Sequence, residues 1–214
     1  MKVLFFSPFS QVWEHSFPEA LIAEGLVAQG VDVVTVRCGR MLDAHCIAMS
    51  ASGVTATDSA VRKKQVCNAC LKRRDLLGAQ MPFLTEVMDD RVEPSDRAAA
   101  VAAVGQVTID NWFDLMVDGV ALGRYAAYEF LLNYKLVGTA IPEELFSLYR
   151  EQLRMTVTVY FVAKRILAVH RPDKLVVFNR LYSVNHAFCA AAEAAGIPTY
   201  TLQGGGHITR RGET

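Results

Sequence analysis

The sequence predicts an α/β domain: a Rossmann-like parallel sheet flanked by helices, with a helical insertion and a Cys-rich loop. Three observations carry this. A strand–helix–strand unit opens the chain, the same grammar returns near its other end, and a long helical stretch lies between them. The 214 residues suffice for one full core and are read as a single domain over 1–214.

The elements follow in order. "KVLFFS" (2–7) is a short, mostly apolar run, suited to a strand buried on both faces. From Phe17 to Gln29 apolar residues stand at 17, 21, 22, 26 and 27, with Gly30 as a stop signal, which predicts an amphipathic helix. Its start reads as a capping box, Ser16 with Glu19 three residues on and Pro18 in the first turn. "VDVVTVR" (31–37) is a second, β-branched strand, so the opening makes a right-handed βαβ unit. Near the other end come "KLVVFN" (174–179), an Ala-rich helix near 183–195 ending at Gly196, and the strand "PTYTLQ" (198–203). The segment 96–170 is rich in Ala, Leu and Val and predicts three or four helices. The segment 38–95 has weak periodicity, four of the five cysteines and a dense basic cluster.

Composition narrows the class. Charges balance at 22 Lys+Arg against 22 Asp+Glu, and 52% of residues are apolar. That argues against a disordered tail and against a generally basic nucleic-acid binder. "MKVLFFSPF" has one Lys and a short apolar run broken by Ser-Pro, which is not a signal peptide. No segment reaches the roughly 18–20 uninterrupted apolar residues of a membrane span. The expectation is a cytoplasmic protein, with peripheral contact at the inner face of a membrane left open. There, five cysteines point to thiols or metal rather than disulfides.

Cys38, Cys46, Cys67 and Cys70 are spaced C-x7-C-x20-C-x2-C. A C-x-x-C turn can aim two thiolates at one tetrahedral ion, and the other two cysteines complete a structural zinc site that staples an otherwise weakly patterned segment. Arg62, Lys63, Lys64, Lys72, Arg73 and Arg74 offset its charge. A redox pair, an iron–sulfur cluster and four unrelated buried thiols compete with this reading.

Ligands of parallel α/β sheets bind beyond the carboxyl ends of the strands. Three loops are expected there. The first carries Trp13, Glu14 and His15. His15 is the general-base candidate, because a free imidazole titrates near neutrality and Glu14 can hold its tautomer. Trp13 is either a stacking platform for a sugar or base, or packing beside the helix start. The second loop carries Asn179, Arg180, Tyr182, Ser183 and Asn185; Arg180 suits an anionic group or an ion pair with Asp173 or another acid. The third is Gln203-Gly204-Gly205-Gly206-His207, an anion nest or a flexible turn.

"KVLFFSPFSQVWEHSFPEALIAEGLVAQGVDVVTVRCG" resembles the opening of a GT-B glycosyltransferase. "DKLVVFNRLYSVNHAFCAAAEAAGIPTYTLQGGG" is similar to a stretch of capsule and surface-polysaccharide biosynthesis proteins, although the turn Asn179-Arg180 lacks their Gly. The resemblance implies the acceptor-side half of a glycosyltransferase. His15 and Glu14 would act on a sugar or lipid-linked glycan acceptor, against a nucleotide-sugar donor. Trp13, Asn179, Arg180, Tyr182, Gly204, Gly205 and His207 would line the substrate. It also implies a C-terminal GT-B domain or partner chain; the balanced charge adds the expectation of no nucleic-acid partner. Two other readings stay open: a non-catalytic zinc-stapled protein-binding module, and a thiol oxidoreductase using Cys67 and Cys70.

Overall fold

A computed structural model describes residues 1–81 and 83–203. Strands β1 (Lys2–Phe6), β2 (Asp32–Arg37), β3 (Leu84–Val87), β4 (Lys174–Phe178) and β5 (Thr199–Leu202) form one sheet in the order β3-β2-β1-β4-β5. Every pairing is parallel. The expected fold class therefore holds, and β3 is the strand that sequence reading missed.

Alternation along the strands sorts the core into two faces. Val3, Phe5 and Val33 pack with Ala23 of helix α1 (Trp13–Ala28). Leu4, Phe6, Val34, Val36, Leu175 and Val177 face the other way, into the larger core built with helices α6 (Glu143–His170) and α7 (Ser183–Ala194). Phe6 stacks on Phe188 of α7 with ring centroids 4.1 Å apart. The predicted helical insertion is present as α4 (Pro94–Gly105), α5 (Leu122–Asn133) and α6. α6 is 28 residues long and ends where Arg171 turns left-handed, at φ 47°.

Two local expectations are corrected. α1 begins at Trp13, with Val12 as N-cap and no side-chain cap, so the Ser16/Glu19 capping box does not form. Both residues lie inside the helix and are buried, because they have other partners. Ser16 Oγ donates to the Ser10 carbonyl at 3.2 Å, and the Glu19 carboxylate accepts from Ser7. The buried face of α1 is Ser16, Glu19, Ala20 and Ala23, while Leu21 and Ile22 point outward.

The second correction concerns the Cys-rich loop over 38–95. That segment folds into α2 (Ile47–Ala51), α3 (Ala60–Gln80), β3 and a 3-10 turn over Met88–Arg91. Of the 21 residues of α3 only Leu77 is buried, so the helix lacks the apolar stripe that marks one in sequence.

Along β1, β2 and β3 the sheet grows in one direction; β4 then pairs with the opposite side of β1. The carboxyl ends of β1 and β4 thus flank the topological switch point, where open α/β sheets place their crevice. Among the described residues no helix is long and apolar enough to cross a membrane.

Candidate active site

The period-two alternation continues past the strand ends. Val3 and Phe5 are followed on the same face by Ser7, and Val33 and Thr35 by Arg37. Two apolar stripes thus end in polar residues directly beneath α1. Ser7 N–H donates to the Val36 carbonyl at 2.9 Å, which extends the ladder and fixes the residue. Its hydroxyl donates to Glu19 Oε2 from α1. Arg37 Nη1 donates to Ser10 Oγ at 3.2 Å. Ser7, Glu19 and Arg37 are 3%, 2% and 0% exposed.

This cluster is not fully satisfied. Glu19 Oε1, Arg37 Nε and Nη2, and Asn185 Oδ1 are buried with no hydrogen-bond partner among the described residues. Buried polar groups in folded proteins nearly always find partners, so such atoms at a crevice mark a place built for chemistry or a ligand. Burial raises the Glu19 carboxyl to about 7, against the pull of the Ser7 hydrogen bond, the Arg37 charge and the Phe178 main chain. Near neutral pH a carboxylate of that strength can accept a proton from a serine hydroxyl and return it. A serine activated by an adjacent base is the usual preparation for attack on an acyl carbon. Sequence reading assigned Glu19 to helix capping and left Ser7 unassigned. The strand parity that puts Ser7 and Arg37 on one face was the available signal.

The predicted site residues fall in several places. The His15 ring stacks on Phe178, centroids 4.0 Å apart, with Tyr182 at 6.0 Å. Burial lowers its pKa, and the nearby Glu14 only partly opposes this. Glu14 is exposed, and no hydrogen bond joins it to His15. Trp13 stacks on Phe17 at 4.9 Å, with the Arg73 guanidinium 5.8 Å from its ring centroid. Arg73 also donates to the Gln11 carbonyl, tying α3 to the first loop. Gln11, Trp13, Glu14, Ser52 and Arg73 line an open cleft of about 510 Å³.

Asn179 is left-handed at φ 51° and caps Leu181 N–H at 3.1 Å. Asn185 Nδ2 donates to the carbonyls of Phe178 and Asn179, at 2.6 and 3.1 Å, and so fixes the turn after β4. Arg180 forms a two-pronged ion pair with Glu193, one arm at 2.8 Å, the second of the alternatives read from sequence. Ser183 belongs to a buried network: Gln152 Nε2 donates to Ser183 Oγ at 2.6 Å and to Glu129, and Glu129 Oε2 accepts from Ser183 N–H at 3.0 Å. Gly204, Gly205 and His207 lie outside the described residues.

All four cysteines of the predicted zinc site line one small apolar cavity of about 20 Å³. Cys67 and Cys70 stand on α3 rather than on a turn. As the side chains are placed, no three His, Cys, Asp or Glu groups among the described residues share a point from which to hold an ion.

No protein-family model matches the sequence, and no curated protein matches it. Solved structures do. A CDPS from Fluoribacter dumoffii matches with a TM-score of 0.56 at 11% identity, over 94% of this chain and 89% of that one. Tyrosyl-tRNA synthetase of Leishmania major, in complex with fisetin, matches at 0.51 and 12% identity; 94% of this chain spans 28% of the synthetase. AlbC, a cyclodipeptide synthase from Streptomyces noursei, matches at 0.48 and 12%, over 95% of both chains.

These comparisons correct the resemblance to GT-B glycosyltransferases. The matching folds are those of a cyclodipeptide synthase and a tRNA synthetase, and no family model supports glycosyl transfer. Glycosyltransferase activity, the sugar or lipid-linked glycan acceptor and the C-terminal GT-B domain fall with it. So does the exclusion of nucleic acid as a partner. The protein-binding module and the thiol oxidoreductase gain no support either. What the chain shares with the Fluoribacter and Leishmania proteins is a fold, over 94% of its own length.

Proposed function

We propose that this protein is an aminoacyl-transfer enzyme that takes an amino acid from an aminoacyl-tRNA and joins it to a second one. The observation that carries the reading is the hydrogen-bonded Ser7–Glu19 pair at the switch point of the sheet. Two fold neighbours with a TM-score above 0.5 are a CDPS and a tyrosyl-tRNA synthetase, which supports a substrate of the aminoacyl-tRNA class. An ester of an amino acid is already activated, so a serine with a carboxylate base can accept it directly. The loop after β1 runs Ser-Pro-Phe-Ser-Gln-Val, without the glycines that let a main chain cradle a pyrophosphate. This favours a preformed ester over activation by ATP.

The chemistry balances with the residues present. Ser7 Oγ attacks the ester carbonyl while its proton passes to Glu19. The tetrahedral adduct collapses, and the departing ribose oxygen takes that proton back, leaving an aminoacyl-Ser7 ester. The amine of a second aminoacyl-tRNA then attacks this ester and forms the peptide bond, its proton returning through Glu19 to the departing Ser7 oxygen. The free amine of the resulting dipeptidyl-tRNA attacks the remaining ester, which releases the tRNA hydroxyl and a cyclic dipeptide. Arg37 supplies positive charge beneath the developing oxyanion. The Trp13–Arg73 cleft offers an aromatic face and a cation for the single-stranded end of the RNA. Helix α3 also carries Lys64 and Lys72, both exposed, as cations for the phosphate backbone. Such a substrate fits the cytoplasm.

The test is intact-mass analysis after mixing the chain with a pool of aminoacyl-tRNAs. An aminoacyl adduct on the wild type, absent from Ser7→Ala, together with dipeptide products is the expected result. Absence of adduct, deacylation and dipeptide across the whole pool overturns the reading.

A further inference from the structure

Cys38 follows β2, Cys46 is the N-cap of α2, and Cys67 and Cys70 lie one turn apart on α3. Three separate elements thus bring a thiol to one cavity of about 20 Å³, which is room for about one water-sized sphere. Apart from Gly39 and Arg40 the remaining lining residues are apolar, with Pro8, Phe9, Leu42 and Val66 among them. All four cysteines are free thiols. Chance burial of cysteines as small apolar residues does not require them to converge.

A second observation comes from outside the cluster. Arg37 is fully buried, its Nε and Nη2 have no acceptor, and Cys70 is within charge–charge reach of it. Arg40 stands in the same relation to Cys67. Glu19 already supplies this buried guanidinium with a counter-charge, and a Cys70 thiolate would add a second. Main-chain amides of Leu42, Ala48 and Met49 also lie near the sulfurs of Cys38 and Cys46, as do those of Ser10 and Gln11 near Cys70. At Gly39, between Cys38 and Arg40, an added Cβ would stand 2.6 Å from the Asp89 side chain and would displace the carboxylate that accepts the Gly39 N–H. The main chain at Cys38 is therefore fixed beside the cavity.

We propose that Cys38, Cys46, Cys67 and Cys70 bind a single zinc ion in the cavity they line, fastening α3 to the carboxyl end of β2. No three of the sulfurs share a site as the side chains are placed, so binding requires them to draw inward. Four thiolates satisfy the tetrahedral preference of zinc. The ion would carry no reaction step. Its role is to hold the basic helix α3, and through Arg73 the first loop, in register with the sheet.

The full chain, purified without added metal or chelator, is expected to carry about one zinc per molecule with the four thiols protected. The double variant Cys67→Ser/Cys70→Ser should lose the ion, while Cys189→Ala, a buried cysteine of the α7 core, should keep it. Chelated wild type should regain thermal stability when titrated with zinc. Three outcomes overturn the proposal: a folded, metal-free wild type whose melting temperature ignores zinc, iron with sulfide in place of zinc, or full zinc content in the double variant. These readouts are independent of aminoacyl transfer, so the two readings fail separately.

Discussion

Ser7 and Glu19 are joined by a hydrogen bond inside the protein, from the end of β1 to the middle of α1. The pair gives stability a particular pH dependence. The Glu19 carboxyl sits at about 7 in the folded chain and near 4.5 when exposed. Between those values the folded state holds a proton that the unfolded state has released. Stability therefore falls as pH rises from about 4.5 to about 7 and levels off above, by roughly 3 kcal/mol in all. Glu19→Gln removes this contribution. Urea unfolding at about pH 5 and about pH 8 should show the wild type losing ground to the variant at the higher pH. A constant difference between the two proteins would contradict the assignment.

The same pair makes a kinetic prediction. Glu19→Gln keeps the shape of the site but cannot take the Ser7 proton, so aminoacyl-adduct formation should slow by about two to four orders of magnitude. In the wild type the rate should rise with pH through about 7, as Glu19 ionises. Single-turnover measurements across that range decide it. A flat profile, or an unimpaired Gln variant, removes Glu19 from the chemistry.

His15 should behave as packing. Its ring lies against Phe178, and burial holds its pKa below the ordinary histidine value of 6.5. It therefore contributes stability above about pH 6.5 that is lost as pH falls, because the unfolded state takes up the proton first. His15→Phe should remove that acid loss and keep the stack. His15→Ala should cost on the order of 1 kcal/mol while leaving adduct formation largely intact. Loss of the adduct with unchanged stability would instead make His15 a catalytic residue.

The parts of the fold legible in sequence are those whose side chains report burial. β1, β2 and β4 are largely apolar runs in the sheet, β5 shows the alternating β-branched and aromatic residues of a strand, and α7 is marked by its alanines and Gly196. α3 was not legible because only Leu77 is fully buried and charged residues interrupt its half-buried face, and β3 because Leu-Thr-Glu-Val at a sheet edge alternates with no strong apolar face. α1 misled in a different way. Its Leu21 and Ile22 look like a core stripe, yet the helix lies close to the sheet on Ala20 and Ala23 and turns the larger residues outward. The candidate site stayed hidden for the same reason. Ser16 and Glu19 form a plausible cap by spacing, and only the tertiary approach of Ser7 and Ser10 shows that both are already engaged.

The buried network at the start of α7 should be strongly non-additive. Glu129 receives hydrogen bonds from Gln152 and from the Ser183 main chain, and Gln152 also donates to the Ser183 hydroxyl. Gln152→Leu leaves a buried carboxyl short of a donor and should cost about 1–3 kcal/mol. Ser183→Ala made on top of it should cost less than in the wild type, because its partner is already gone. Strict additivity in a double-mutant cycle would mean the three groups do not act together.

Two glycines inside helices should respond to alanine in opposite directions. Gly25 in α1 has no atom within 4 Å of an added Cβ and is exposed. Gly25→Ala should stabilise by about 0.5–1 kcal/mol through the lower chain entropy of the unfolded state. Gly123 in α5 is different: its added Cβ would fall 2.2 Å from the Trp112 carbonyl oxygen and 3.2 Å from Leu115 N. Those are main-chain atoms, so no rotamer change relieves the clash. The Gly123 carbonyl also accepts the buried Tyr149 hydroxyl at 2.7 Å, and Tyr149 packs edge-on against Trp112, which limits any retreat of the helix. Gly123→Ala should therefore destabilise by about 1–3 kcal/mol despite alanine's better helix propensity. Matched thermal melts of the two variants separate propensity from packing. A stabilised Gly123→Ala would mean that α5 does not approach the Trp112 turn this closely.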